Sequence, residues 1–351
     1  MNEKGLNIGI VGGGVVGLTC AHVLSAGHRV TIVADALGAE TDSIKATALW
    51  HVYLVPETEQ VLAWAGHTLE EFHRIAKVAP ESGIELIQGV ELFRHTEEHR
   101  PSWAALPHLF EPLNRGEIDQ LNSVRPSDLT PEECNSLDQN PIRWGYRVEA
   151  PAADMAIYLA WLKREVHGRG VSFQRRHVKT LGELAADYDV VVNCSGIGAR
   201  TLASDENFEP YKGQYFIFKR TENAPDDYVG DDEHPGGMAY MIPRASEILV
   251  GGSAERGLDD LEFTLNLEET VRRAGLYVPW LRSRTSKDEA RKPVVGVRPC
   301  RRDGIRLELD CAGSGPVIHN YGHGGSGFSL SWGCAARVSA LIDQIAATRP
   351  E

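Results

Sequence analysis

Three glycines, Gly12, Gly14 and Gly17, lie between a strand-like run and a helix-like run, and they constrain this chain more than any other feature. Leu6 to Val11 is a short apolar stretch rich in β-branched residues, suited to a strand covered on both faces. Leu18 to Ala26 carries apolar residues at helical spacing and stops at Gly27, which suits the left-handed turn that ends a helix. Arg29 to Val33 then reads as a second strand, closing on Ala34-Asp35. In such a unit the first glycine permits a tight turn and the second lets backbone approach a pyrophosphate. The third allows close helix–strand packing. The helix start, at Val15 and Val16, supplies amide N–H groups and a positive dipole end. Asp35, about 20 residues on, is placed to accept from a ribose hydroxyl. The expectation is a dinucleotide site; the bland alternative is a glycine turn with no ligand.

The same strand-to-glycine pattern recurs twice, far along the chain. Asp189 to Cys194 runs into Ser195-Gly196-Ile197-Gly198, and Pro316 to Asn320 runs into Tyr321 to Gly327, ahead of a helix expected over 329–345. Three such turns so widely separated suggest one cofactor domain assembled from discontinuous pieces. Residues 211–220 and 238–252 alternate apolar and polar positions, as antiparallel strands do. Between them, Asp226 to Gly237 reads as a mobile acidic loop that gates access as a lid.

Composition narrows the partners. A formal net charge of −13 disfavours nucleic acid and anionic membrane surfaces. The six cysteines are scattered, with no C-x-x-C pair and no metal-ligand spacing, so no metal is expected and buried thiols in a reducing compartment are. The first apolar run leads directly into glycines, leaving no room for a signal peptide, and no stretch reaches the roughly 18 apolar residues of a membrane span. A cytoplasmic location is therefore expected. Oligomeric state is left open.

The fingerprint does not say which dinucleotide. Further motifs do: the Thr41–Tyr53 stretch ending ATALWHVY, Val192-Asn193-Cys194-Ser195-Gly196, Lys212-Gly213-Gln214, Gly296-Val297-Arg298-Pro299, and above all the nine-residue string His319-Asn320-Tyr321-Gly322-His323-Gly324-Gly325-Ser326-Gly327. Together they resemble the D-amino-acid oxidase family through about residue 345. The resemblance implies an α/β fold, with a Rossmann-type FAD-binding domain from residues 1–50, 145–205 and 295–351. A substrate domain with a mainly antiparallel sheet would take 51–144 and 206–294. It also implies that FAD is held by Gly12, Gly14, Val15, Val16, Gly17 and Asp35, by Ser43, Thr47, Ala48 and Leu49, and by Val178, Ser195 and Gly196. Gly322, Gly324, Gly325, Ser326, Gly327, Phe328 and Ser329 complete that set.

The expected chemistry is removal of a hydride from the α-carbon of a D-amino acid to flavin N5, with oxygen reduced to hydrogen peroxide. No catalytic base is needed once the amino group is neutral, so the protein mainly aligns. Arg298 offers a planar fork for an α-carboxylate, or else sits in an ion pair with a protein carboxylate. Tyr240 resembles the family tyrosine that binds the same carboxylate, or is a core tyrosine. His51, Tyr53 and Gly327 are expected at the substrate pocket, His51 either shaping specificity or hydrogen-bonding in the core. Gly236 stands where the family commonly carries a second lid tyrosine, so pocket size and preference are open. A glycine or sarcosine-type amine oxidase, a nicotinamide-dependent dehydrogenase and a non-catalytic dinucleotide sensor are the competing readings. A covalent flavin link of the glycine or sarcosine oxidase kind would fall on Cys300, Cys311 or Cys334.

Overall fold

Asn7–Gly13, the β-branched run of the glycine fingerprint, is the strand on which the first of two units is built. The computed structural model describes residues 5–96, 100–257, 262–284, 290–313 and 315–348. The chain divides into a first unit of Met1–Ile84, Ala153–Tyr211 and Val297–Glu351, and a second of Glu85–Ala152 and Lys212–Gly296.

The sheet of the first unit has six strands. Asn7–Gly13 lies between Arg29–Leu37 and Val190–Asn193; Ser172–Arg175 closes one edge, and Val317–Tyr321 then Arg306–Asp310 the other. All these pairings are parallel except that of the edge strand Arg306–Asp310. Ile8 pairs with both Val30 and Val190, so the β-branched runs line up across the centre. Helix Val15–Leu24 makes the crossover from first strand to second and buries Leu18, Cys20, Ala21 and Leu24. The final helix, Ser331–Ala347, starts two residues later than the sequence suggests, because Phe328 to Leu330 form a turn ahead of it.

Helix Glu59–Val78 belongs to this first unit, whereas the sequence places it with the substrate domain. The reason is local packing. The Gly333 N–H donates to Thr68 Oγ1 at 2.9 Å, and a Cβ at Gly333 would collide with the Trp64 backbone, so the two helices touch. At the other boundary, Trp144–Ala153 runs mostly in the second unit, paired with Phe110–Pro112.

The second unit is a nine-stranded sheet. Tyr211–Lys219 pairs antiparallel with Glu247–Gly251, which pairs with Ala239–Pro243, which pairs with Tyr228–Asp231. Ile84–Phe93 continues the sheet in parallel beside Tyr228–Asp231. The supposed acidic lid is therefore strand over four of its twelve residues. Tyr228, Val229 and Asp231 are buried, 226–227 are exposed ahead of them, and 232–237 form an exposed turn around the half-buried His234. Charge counting misleads here because Asp231 is neutralised: its Oδ2 accepts from Arg94 Nη2 at 2.7 Å and from Tyr277 OH at 2.5 Å. Both partners are far away in sequence.

Candidate active site

The glycine fingerprint owes its residue types to what lies beside it. Gly12 sits at φ +112, and a Cβ there would collide with the Cys194 carbonyl, where the third strand ends. A Cβ at Gly17 would collide with the Gly12 carbonyl, so turn and helix close on each other. Gly14 is the residue before the helix and provides no side-chain cap; the Ser43 hydroxyl instead accepts from the Val15 N–H at 3.0 Å. The first intrahelical bond here is Leu18 N–H to Gly14 carbonyl, and no acidic residue occupies the first turn. The Val16 and Gly17 amides thus precede the ladder, the arrangement that suits a phosphate, while the Val15 amide is taken by Ser43.

Asp35 is exposed near the end of its strand, and one of its two oxygens is occupied: His177 Nδ1–H donates to Oδ2 at 2.6 Å. Sequence alone gives no sign of this pair, whose members stand 142 residues apart. Ala48 has φ +51, a left-handed conformation that costs an L-residue roughly 1 kcal/mol. Its carbonyl accepts from the Ala153 N–H at 2.9 Å. Thr47 and Leu49 flank it, half-buried. Ser195 donates its hydroxyl to Asn193 Oδ1 at 2.6 Å, and a Cβ at Gly196 would meet nothing within 4 Å.

The signature string is fastened to the segment 51–54. Ser326 Oγ accepts from the Tyr53 N–H at 2.7 Å and donates to the Tyr53 carbonyl at 2.9 Å. Ser329 Oγ accepts from the His51 N–H at 3.0 Å, and the Gly325 N–H donates to the Tyr53 carbonyl at 3.2 Å. Gly324, at φ +55, has the Leu54 carbonyl where a side chain would stand. Gly322 lies against the Arg301 stem, and Gly327 faces open space apart from His323 Cβ at 3.9 Å. Leu54 and its carbonyl were not singled out by sequence reasoning; nothing in an isolated leucine signals that contact.

Phe328 and Val178, also read as cofactor contacts, send their side chains into the core. The Phe328 ring stacks on Phe72 at 4.3 Å and meets Tyr158 edge-on at 5.8 Å. Val178 lies in the core cluster with Val11, Val33, Leu184 and Val191. Only their backbones are left for a nucleotide.

The Arg298 guanidinium lies over the Tyr53 ring, 5.5 Å from its centroid, and the His51 ring stacks beside Tyr53 at 6.1 Å. Burial pushes His51 down to about 4, so the ring is neutral near pH 7 and adds no charge beside Arg298. In the second unit Tyr240 is buried on the strand Ala239–Pro243, directly opposite Gly251 and Gly230. Its ring fills the space that side chains at Gly251 and Gly252 would need.

Among the described residues no group of three or more His, Cys, Asp or Glu side chains is placed to hold a metal ion, and no helix is long and apolar enough to cross a membrane. The cysteines are free; Cys311 is exposed and Cys134 half-buried, so the expectation of buried thiols holds for the other four only.

Comparison with known proteins supplies the family. Residues 7–341 match the family described as FAD dependent oxidoreductase. The chain is 37% identical over 335 residues to a D-amino-acid oxidase of Rubrobacter xylanophilus, covering 95% of this chain and 94% of that one. It is 32% identical to a D-amino-acid oxidase of Dictyostelium discoideum, covering 97% and 92%. Among solved structures, glycine oxidase from Geobacillus kaustophilus superimposes with a TM-score of 0.72 at 18% identity, covering 97% and 95%, a likeness of fold. This chain belongs to the FAD-dependent oxidoreductases of the D-amino-acid oxidase family.

Proposed function

We propose that this chain catalyses FAD-dependent oxidative deamination of a D-amino acid, with Arg298 holding the substrate's α-carboxylate. The observation that carries the reading is the convergence in the first unit of the glycine fingerprint, the fastened signature string and an arginine laid over Tyr53. The amides of Val16 and Gly17 suit the pyrophosphate, and Asp35 Oδ1 the ribose. Gly325, exposed beside the buried Gly324, leaves backbone open for the flavin ring, with Ser326 and Ser329 fixing the loop.

When bound, FAD supplies the two-electron acceptor for the α-hydrogen as hydride and passes the electrons to oxygen, giving hydrogen peroxide. The chain's own part is alignment. A bidentate guanidinium fixes the rotation of the carboxylate that a single ammonium leaves free. Tyr53 fixes the guanidinium through a contact worth roughly 0.5–2 kcal/mol. Tyr240, in the second unit, is a proposed hydroxyl donor to the substrate's carboxylate. His51, being neutral, neither competes for it nor protonates the amine, which must keep its lone pair to drive hydride loss.

The test is a paired panel. Holoenzyme is mixed anaerobically with D- and L-enantiomers of each amino acid, flavin bleaching is followed, and peroxide is then measured in air. Bleaching by D-enantiomers with stoichiometric peroxide is expected. Bleaching by L-enantiomers alone overturns the reading.

A further inference from the structure

The sheet of the second unit has two unlike faces. Leu92, Val229, Met241, Val250 and Phe216 pack with Val271 of helix Leu267–Ala274 in one hydrophobic core. Strand alternation sends their neighbours to the other face. There Glu91, Gly230, Tyr240, Gly251 and Tyr215 are partners across five adjacent strands and form a single row. A Cβ at Gly230 would run into Glu91 Oε2 and lie 2.9 Å from its Cδ, so the carboxyl group of Glu91 lies over Gly230, next to Tyr240.

No cation of the described protein answers this carboxylate. Glu91 makes no side-chain hydrogen bond or ion pair among the described residues. Arg94, three positions on, is turned to the opposite face, where it is committed to Asp231 and Tyr277. Asp231 shares that face and that pairing, while Asp232 follows it at the start of the turn. Burial, with Asp232 and Asp231 nearby, holds its carboxyl well above the usual range. Such a group is costly to leave unpaired and gains most from a cation brought to it.

We infer that Glu91 reads the substrate's side chain, and that the preferred substrates are D-amino acids carrying a cation at the end of a long side chain, of the lysine or arginine kind. The inference rests on the proposal that Tyr240 binds the α-carboxylate. A substrate anchored at Tyr240 has Glu91 two strands away, roughly 10 Å between backbones, with the carboxyl reaching back over Gly230. That span suits a long stem and an ammonium or guanidinium end. A short or acidic side chain leaves Glu91 unanswered or repels it.

The test compares D-lysine and D-arginine with D-norleucine and D-glutamate on the holoenzyme and on Glu91→Gln, reading kcat/KM from peroxide release. For the wild type, cationic substrates should exceed D-norleucine by at least about tenfold. In Glu91→Gln that ratio should collapse to within about threefold, with D-norleucine unchanged and FAD content equal. Glu91→Gln should also melt at a higher temperature at pH 7 without substrate, because a carboxyl whose pKa rises on folding weakens the fold as pH climbs past its unfolded value. A wild type that prefers neutral or acidic D-amino acids, or a Glu91→Gln that keeps the cationic preference, overturns the inference and leaves the oxidase reading standing. A lower melting temperature for Glu91→Gln overturns it too, since Glu91 would then have a structural partner. Flavin bleached by no D-amino acid of any charge overturns both.

Discussion

Arg298 and Tyr53 meet face to tip: the guanidinium carbon stands 5.5 Å from the centre of the phenol ring. The ring therefore lies beneath the fork that we assign to the substrate carboxylate. Arg298→Lys keeps the charge and loses the fork. It should lower kcat/KM by about 2–4 kcal/mol and slow anaerobic flavin reduction. FAD content should stay that of the wild type. Tyr53→Phe keeps the ring and should change kcat/KM by less than about threefold, while Tyr53→Ala should raise KM clearly. Near-normal reduction by Arg298→Lys would move the carboxylate clamp to another residue.

Ser326 carries more of the loop's geometry than its size suggests. It is fully buried, accepts from the Tyr53 N–H and donates to the Tyr53 carbonyl. Ser326→Ala removes the hydroxyl that answers the half-buried Tyr53 N–H, at a cost of about 1 kcal/mol. The melting temperature should fall by several degrees and KM should rise, because Tyr53 is the residue beneath Arg298. Ser326→Thr restores the hydroxyl and should recover part of both if the hydrogen bonds are what matters. An unchanged melting temperature in Ser326→Ala would count against the loop being fastened at this point.

The first unit is legible in the sequence because its decisive signals are local. Gly12, Gly14 and Gly17 follow their strand directly, and Asp35 closes the next one, so one window of chain contains the whole fingerprint. The antiparallel sheet of the second unit was legible for the same reason, from alternation within 211–220 and 238–252. What failed was non-local. Asp231 looked like part of a solvated loop because Arg94, which neutralises it, is 137 residues away. Helix Glu59–Val78 looked detached from the cofactor unit because its partner, Ser331–Ala347, comes near the end of the chain. Phe328 and Val178 come from the family resemblance alone, which says nothing of where their side chains turn.

His323 gives the protein an acid limit. It is 4% exposed, and burial pushes its pKa down to about 4, from an ordinary value of 6.5. A histidine with a depressed folded pKa stabilises the fold fully above the unfolded value and loses that contribution as pH falls. The window is therefore from about 6.5 to about 4, with His51 adding to the same slope. Melting temperature measured across that range should fall steadily for the wild type. His323→Gln should show a shallower fall over the same interval, whatever its stability at pH 8. Parallel curves would mean that His323 is already protonated in the folded protein.

Gly324 separates two costs that a glycine can hide. Its φ of +55 charges an alanine roughly 1 kcal/mol for conformation, and the Leu54 carbonyl occupies the place of the new methyl. Gly170, at φ +80, carries the conformational cost alone, because a Cβ there meets nothing within 4 Å. Gly170→Ala should therefore lose only a little stability and keep its full flavin. Gly324→Ala must push the 51–54 segment away from the loop that Ser326 fastens, displacing the backbone we assign to the flavin. It should be purified with a much lower ratio of flavin to protein absorbance and should bind added FAD more weakly than Gly170→Ala. If the two variants hold FAD equally well, the close approach of Gly324 to Leu54 does not shape the cofactor site, and the flavin ring must rest on a different stretch of the first unit.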